Sequence, residues 1–152
     1  MKTILIAADH AGFALKEGIK RYLAKRGLRV RDLGTDTPER CDYPFFAAEL
    51  AKRISEKKYS RGILICKSGI GNSIVANRFP GVRAALCYSR RSARLSREHN
   101  DSNILVLGSA FVTRKLAEEI SRVWLKTQFQ GGRHQRRLRQ IKAIEKKIGS
   151  RK

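Results

Sequence analysis

Apolar and polar positions recur along the chain with two different periods, which predict strands and helices. Residues 3–8 and 63–66 are almost entirely apolar, and short runs of this kind bounded by turn-forming residues predict buried strands. Residues 28–33 instead alternate apolar with charged side chains, as expected of an outer strand exposed on one side. Two further apolar runs, at residues 82–87 and 104–107, predict the fourth and fifth strands.

Segments with helical spacing of apolar residues follow the predicted strands. In residues 14–26, Leu15, Ile19 and Leu23 share one face, and Gly27 is predicted to end the helix. Repeated strand-then-helix units predict a Rossmann-like, three-layer α/β/α sandwich around a five-stranded, mainly parallel sheet. We expect residues 1–152 to form a single domain, with the strands that begin at Thr3 and Ile63 in the centre of the sheet.

A basic helix is predicted at the C-terminal end, over residues 133–148. Arg133 and Arg137 lie on its apolar side, so we expect both to face protein rather than water. Two arginines at one helix start would suit a phosphate group, and the alternative is that they pair with carboxylates across a subunit interface. The apolar residues predicted to pack on that side are Leu138, Ile141, Ile144 and Ile148.

Composition narrows the class of protein. The chain has 152 residues, a net charge of +21 and three cysteines, Cys41, Cys66 and Cys87, without the spacing of a zinc site or a disulfide framework. Free cysteines suit a reducing cytosol, and no apolar run approaches the roughly 18 residues of a membrane span. We therefore expect a soluble, cytoplasmic protein. The charge would attract phosphates or nucleic acid, but few aromatic residues interleave the basic runs, so nucleic-acid binding is the minor alternative.

The turn after the strand at residues 63–66 is the best candidate for chemistry. Ligands bind beyond the carboxyl ends of parallel strands, where Cys66 would meet the glycine turn of residues 68–73. A helix start and the neighbouring Lys67 would lower the pKa of the thiol, although a cysteine at a strand end is more often simply buried. Asp9 and His10 are expected at the same edge. Tyr43 either reaches a ligand there or covers a helix end.

Five ordered motifs resemble the type B ribose-5-phosphate isomerases and the related galactose-6-phosphate isomerase subunits. The resemblance covers residues 1–148, and its motifs are Asp9-His10-Ala11-Gly12, Asp42-Tyr43-Pro44, Cys66-x-Ser68-Gly69-Ile70-Gly71, Ser96-Arg97-Glu98-His99-Asn100-Asp101 and Gly131-Gly132-Arg133-His134-Gln135-x-Arg137. It implies an aldose-ketose isomerase that works through a cis-enediol, without metal or cofactor. It also implies a homodimer or homotetramer with the site between subunits.

The resemblance also assigns roles to individual residues. It makes Cys66 the base, with Asn72 standing where another branch of the family has a glutamate, and it makes His99 the residue that opens the sugar ring. The remaining roles follow the motifs: Ser68 and the amides of Gly69 to Gly71 hold the enediolate oxygen, Asn100 and Asp9 contact hydroxyls, and His10, Arg133 and Arg137 bind phosphate. Ala110 and Lys67 depart from the family pattern and leave open a six-carbon substrate, such as allose or galactose 6-phosphate.

Overall fold

Five parallel strands form the centre of the molecule in the computed structural model, which describes residues 2–150. The strands lie in the order β2-β1-β3-β5-β4. Their bounds are β1 Ile4–Ala8, β2 Val30–Asp32, β3 Gly62–Cys66, β4 Ala84–Leu86 and β5 Ile104–Gly108. The predicted parallel sheet is confirmed, and β2 lies at an edge, as its alternating pattern predicted.

Helices cover both faces of the sheet and form the outer layers of the sandwich. Their bounds are α1 Phe13–Lys25, α2 Tyr43–Ser55, α3 Ile70–Ala76, α4 Arg90–Asn100, α5 Arg114–Lys126 and α6 Arg133–Gly149. Side chains of α1, α4 and α5 pack on one face in a core that includes Ile6, Ile65 and Trp124. Side chains of α2 and α3 pack on the other face against Leu5 and Leu64. Neighbouring residues of β1 and β3 thus point into different cores, which is why these strands are apolar throughout.

The expected packing of α6 is wrong for the single chain. Ile141, Ile144 and Ile148 are 50%, 58% and 63% exposed, and Arg133 and Arg137 are exposed as well. The helix begins beside α4 and runs past the turn at Gly81, whose N–H donates to Glu145 Oε1 (2.9 Å). It therefore lies outside the two layers that cover the sheet, and residues 2–150 form no further layer that would bury its isoleucines.

A buried lysine fixes edge strand β2 to α1. Lys16 is fully buried and donates to the carboxylate of Asp32 and to Glu17 Oε1 (2.9 Å). Lys20 joins the same two carboxylates at 2.6 and 2.9 Å. Burial opposes the charged form of Asp32, but the hydrogen bonds from both lysines and from the Gly34 N–H outweigh it and lower the pKa of this carboxyl. The network thus holds the loop after β2 next to β1.

Removing the Asp32 carboxylate should destabilise the fold. We expect Asp32→Asn to lower the free energy of unfolding at pH 7 by about 3 kcal/mol, because it leaves the fully buried Lys16 with only the partly exposed Glu17 as an anionic partner. A carboxyl with a lowered folded-state pKa stabilises the protein above its unfolded pKa of about 3.9, and that contribution is lost as the pH falls further.

Urea unfolding at pH 7 and below pH 4 measures both effects, and the difference between variant and wild type should shrink at the lower pH. The matched control is Glu49→Gln, which breaks the more exposed pair with Arg53 and should cost less than about 1 kcal/mol. Equal losses of unfolding free energy in the two variants would contradict the prediction that the buried network stabilises the fold more than the exposed ion pair does.

Candidate active site

Cys66 ends β3 at the carboxyl edge of the sheet, where the chain turns sharply into α3. Gly69 makes this turn with a φ of 81°, a conformation that favours glycine. The Gly69 N–H donates to Cys66 Sγ over 3.2 Å, and the Ile70 N–H donates to Ser68 Oγ over 3.2 Å. The thiol and the Ser68 hydroxyl thus lie within one glycine turn whose amides point at them.

The surroundings of Cys66 raise its pKa, and the sequence-based expectation of a lowered pKa is wrong. The side chain is only 4% exposed, and burial is the main cause of the raised pKa. Hydrogen bonds from the Asn72 and Gly69 amides favour the thiolate but do not outweigh burial, and the charge of Asp9 raises the pKa further. The adjacent glycine turn thus reduces the cost of forming the thiolate without abolishing it.

Three more of the predicted residues lie at the same edge of the sheet. Asp9 follows β1, is buried, and accepts a hydrogen bond from the Gly12 N–H (3.1 Å). The Nδ1 atom of His10 lies 3.1 Å from the Cys41 carbonyl oxygen and 3.2 Å from its amide nitrogen. Tyr43 begins α2, and its ring packs so closely on Gly71 that a Cβ atom there would lie 2.3 Å from the ring. Tyr43 therefore covers the first turn of α3 while bordering the site.

The remaining predicted residues lie at the opposite edge of the sheet. His99 and Asn100 end α4, which runs back from β4 toward the start of β5. Asn103, just beyond them, accepts a hydrogen bond at its carbonyl from the N–H of Gly62, the first residue of β3. Because β3 ends at Cys66 and each strand residue advances the chain by about 3.3 Å, the length of the strand separates His99 from the thiol. One chain does not bring them together.

His134 joins His99 and Asn100 in a second cluster at this edge. The sequence analysis assigned no role to His134. Its ring stacks on that of His99, with centroids 4.2 Å apart and planes inclined by 11°. It is the buried residue of α6, and burial together with His99, Arg133 and Arg137 lowers its pKa. Three histidines occur in the chain, but helical periodicity alone does not indicate that two of them stack.

The described residues offer no metal site and no membrane-spanning segment. Among residues 2–150, no three His, Cys, Asp or Glu side chains are grouped as metal ligands. Within the same range, no helix has the length and apolar character needed to cross a membrane.

Comparison with known proteins identifies the family. Residues 4–141 match the family model described as Ribose/Galactose Isomerase. The chain belongs to this family. The chain is 47% identical over 147 residues to ribose-5-phosphate isomerase B of Escherichia coli, covering 97% of this chain and 99% of the relative.

Two solved structures of this isomerase family share the fold. Clostridium thermocellum ribose-5-phosphate isomerase B has 49% identity and a TM-score of 0.94 over 96% of this chain and 99% of its own. The Mycoplasma genitalium ribose-5-phosphate isomerase B, solved with bound ribulose-5-phosphate, has 41% identity and a TM-score of 0.91, covering 95% of this chain and 96% of its own. The predicted family and the predicted class of enzyme, an isomerase of sugar phosphates, are thus confirmed.

The close contact between Tyr43 and Gly71 can be tested by adding one methyl group to this isomerase. We expect Gly71→Ala to lower kcat/KM for a sugar phosphate roughly tenfold or more, because the new Cβ forces Tyr43 away and shifts the turn beside Cys66. Steady-state kinetics together with a thermal melt measure activity and stability. The matched control is Gly149→Ala in α6, where the new Cβ meets no atom within 4 Å. An unchanged kcat/KM in Gly71→Ala would show that the turn tolerates this displacement.

Proposed function

We propose that this isomerase interconverts ribose 5-phosphate and ribulose 5-phosphate through a cis-enediolate. The observation that carries the proposal is the Cys66 thiol enclosed by the amides of a glycine turn, with Ser68 and Asp9 at the same edge. The names of the relatives support the five-carbon substrate, and so does the ribulose 5-phosphate bound to the Mycoplasma genitalium protein. A six-carbon phosphate is the alternative to be tested.

The chemistry needs one base and a group that stabilises a developing oxygen anion. The Cys66 thiolate removes the proton from C2 of the open-chain aldose, and the electron pair moves toward the carbonyl oxygen at C1. Ser68 and the N–H groups of Gly69 to Gly71 donate hydrogen bonds to the enediolate oxygen. Return of the proton to C1, with transfer of the C2 hydroxyl proton to the oxygen at C1, gives the ketose. Thiol and amides supply both functions, so the proposal uses no metal or cofactor.

Ring opening would use His99, and substrate binding would use residues from both edges of the sheet. His99 exchanges protons with the ring oxygen and the anomeric hydroxyl, as a group titrating near neutral pH can. Asn100 and Asp9 contact the sugar hydroxyls, and Tyr43 borders the ring. The phosphate is held by His10, Arg133 and Arg137, of which the two arginines are exposed residues in the first turns of α6.

A second copy of the chain would complete the site. Asp9, His10 and Cys66 lie at one edge of the sheet, and His99, Arg133 and Arg137 lie at the other, so a pair of chains can join the two groups where one chain cannot. Apolar side chains exposed near both edges are available for such contact: Phe45, Ile70, Ile74, Tyr88 and Phe111 near the first, and Ile141, Ile144 and Ile148 on α6. We therefore propose a homodimer, or a homotetramer of such pairs, with its site between subunits.

Two further points follow from the same proposal. One domain carries all of these groups, and its three unpaired cysteines suit a reducing compartment such as the cytoplasm.

Binding of nucleic acid in place of sugar phosphate is the less favoured function, since it would leave the enclosed thiol and the glycine turn without a role.

Replacing the proposed base should abolish turnover without unfolding the protein. We expect Cys66→Ala to lower kcat for ribose 5-phosphate by at least about a hundredfold, with an unchanged circular dichroism spectrum. In the wild type, kcat/KM should rise with pH above neutrality, because burial raises the pKa of the Cys66 thiol and the reaction needs the thiolate.

A coupled assay of ribose, allose and galactose phosphates over this pH range measures both rate and substrate preference. The matched control is Cys87→Ala, which removes a buried thiol outside the proposed site. Full activity of Cys66→Ala would refute the cysteine mechanism, and a preference for a six-carbon phosphate would refute the substrate assignment.

Mixing two inactive variants tests whether the site is shared. Cys66→Ala and His99→Ala should each be nearly inactive alone. After the two are unfolded together and refolded, about a quarter of wild-type activity should return, because half of the random pairs are mixed and each mixed pair holds one intact site. A mixture of Cys66→Ala with Ser68→Ala, both from the same edge, should recover nothing. Equal behaviour of the two mixtures would falsify the shared site.

A further inference from the structure

A cavity lies at the amino edge of the sheet, the edge opposite Cys66. Its volume is about 490 Å³, within the range of small-molecule sites. Four basic side chains line it, Lys2, Arg61, Arg83 and Arg97, and Asp101 is the acidic residue among them. These groups carry four positive charges against one negative charge, so the cavity has an excess of three positive charges.

The one carboxylate is already engaged by two of the arginines. Arg97 is buried, and its Nη1 donates to Asp101 Oδ1 over 2.7 Å and to the Ser102 carbonyl over 2.6 Å. Arg83 Nη2 donates to the other oxygen, Asp101 Oδ2, over 3.2 Å. Both oxygens of Asp101 thus already accept a hydrogen bond from an arginine of the cavity.

Arg61 is a half-buried cation of the cavity without an acidic partner. Among residues 2–150, no carboxylate lies within ion-pair distance of it, and its Nη1 donates instead to the carbonyls of Trp124 (3.4 Å) and Leu125 (2.9 Å). These carbonyls end α5 and supply only about half a negative charge. Burial and the charge of Arg97 lower the pKa of Arg61, and the charge of Asp101 offsets this lowering only in part.

The two guanidinium groups approach the same aromatic ring. The Arg61 and Arg97 Cζ atoms lie 5.3 and 5.9 Å from the centre of the Trp124 ring. Trp124 is fully buried and is the single tryptophan of the chain. Stacking on this ring holds both guanidinium groups near the cavity and gives the site its own spectroscopic probe.

We infer that this cavity binds a small phosphate-bearing anion at a site separate from the proposed catalytic one. A phosphate group carries close to two negative charges and accepts paired hydrogen bonds from arginine, so it fits the excess charge better than one carboxylate does. Lys2 is exposed at the cavity and can follow the ligand, whereas Arg97 is fixed. The inference does not depend on the proposed substrate, because none of its residues belongs to the catalytic group.

Titration with inorganic pyrophosphate tests the inference. Isothermal titration calorimetry and Trp124 fluorescence should both show saturable binding that weakens as salt is added. Arg61→Gln should weaken binding roughly ten- to a hundredfold, as expected for the loss of a charge-assisted hydrogen bond. Lys2→Gln changes an exposed side chain, so it tests the same cavity without risk to the fold, and it should weaken binding by a smaller factor. The matched control, Arg21→Gln on the exposed face of α1, should leave binding unchanged.

Two additional experiments distinguish this cavity from the proposed substrate site and narrow the class of its ligand. The double variant Arg133→Gln/Arg137→Gln should keep the Trp124 response, because those arginines belong to the proposed substrate site. Replacing pyrophosphate with ADP shows which part of the ligand is recognised. Equal affinities for the two compounds indicate recognition of the phosphates alone, and tighter binding of ADP indicates recognition of a nucleoside phosphate. Loss of the response in the double variant, equal weakening in Arg21→Gln, or unchanged binding in both Arg61→Gln and Lys2→Gln would overturn the inference.

Discussion

The common direction of the five strands determines at which edge of the sheet each candidate site residue lies. All strand pairs are parallel, so the turns that follow the strands meet at one edge and the ends of the returning helices meet at the other. The glycine turn and its thiol therefore belong to the first edge, and the stacked histidines belong to the second. Any activity that needs both must overcome a separation that the sheet itself imposes.

Unbalanced positive charge is the second constraint on this molecule. The chain has 34 Lys and Arg against 13 Asp and Glu, so acidic partners are few. Buried Lys16 receives two of them, and buried Arg97 shares Asp101 with Arg83. Arg61 is held mainly by backbone carbonyls. Among residues 2–150, this balance leaves cations such as Arg61, Arg133 and Arg137 without an acidic partner.

Periodicity and turn residues were enough to predict the layers and the strand positions. Continuous apolar runs identified β1 and β3 as central, and alternation identified β2 as an edge strand. The spacing of apolar residues could not predict the packing of α6. The angular positions of its isoleucines show which side of the helix is apolar, but not whether another part of the protein covers that side. The order of the strands beyond the central pair was out of reach, since it depends on contacts between distant segments.

The sequence predicts the position in the fold of residues adjacent to strand ends, but not properties that depend on the surroundings of a side chain. The sequence places Asp9 and Cys66 at one edge because each follows a parallel strand. It indicates a lowered pKa for Cys66 from its neighbours in the chain, whereas burial by the surrounding fold raises that pKa. The stacking of His134 on His99 joins two helices that are far apart in sequence, so no local pattern could reveal it.

The position of α6 has a consequence for how such a chain can diverge. His134 is its buried residue, and the family model ends at residue 141, within the helix. Substitutions beyond that point would leave the five strands and their two cores undisturbed. Evolution can therefore remodel this exposed terminal surface at little risk to folding.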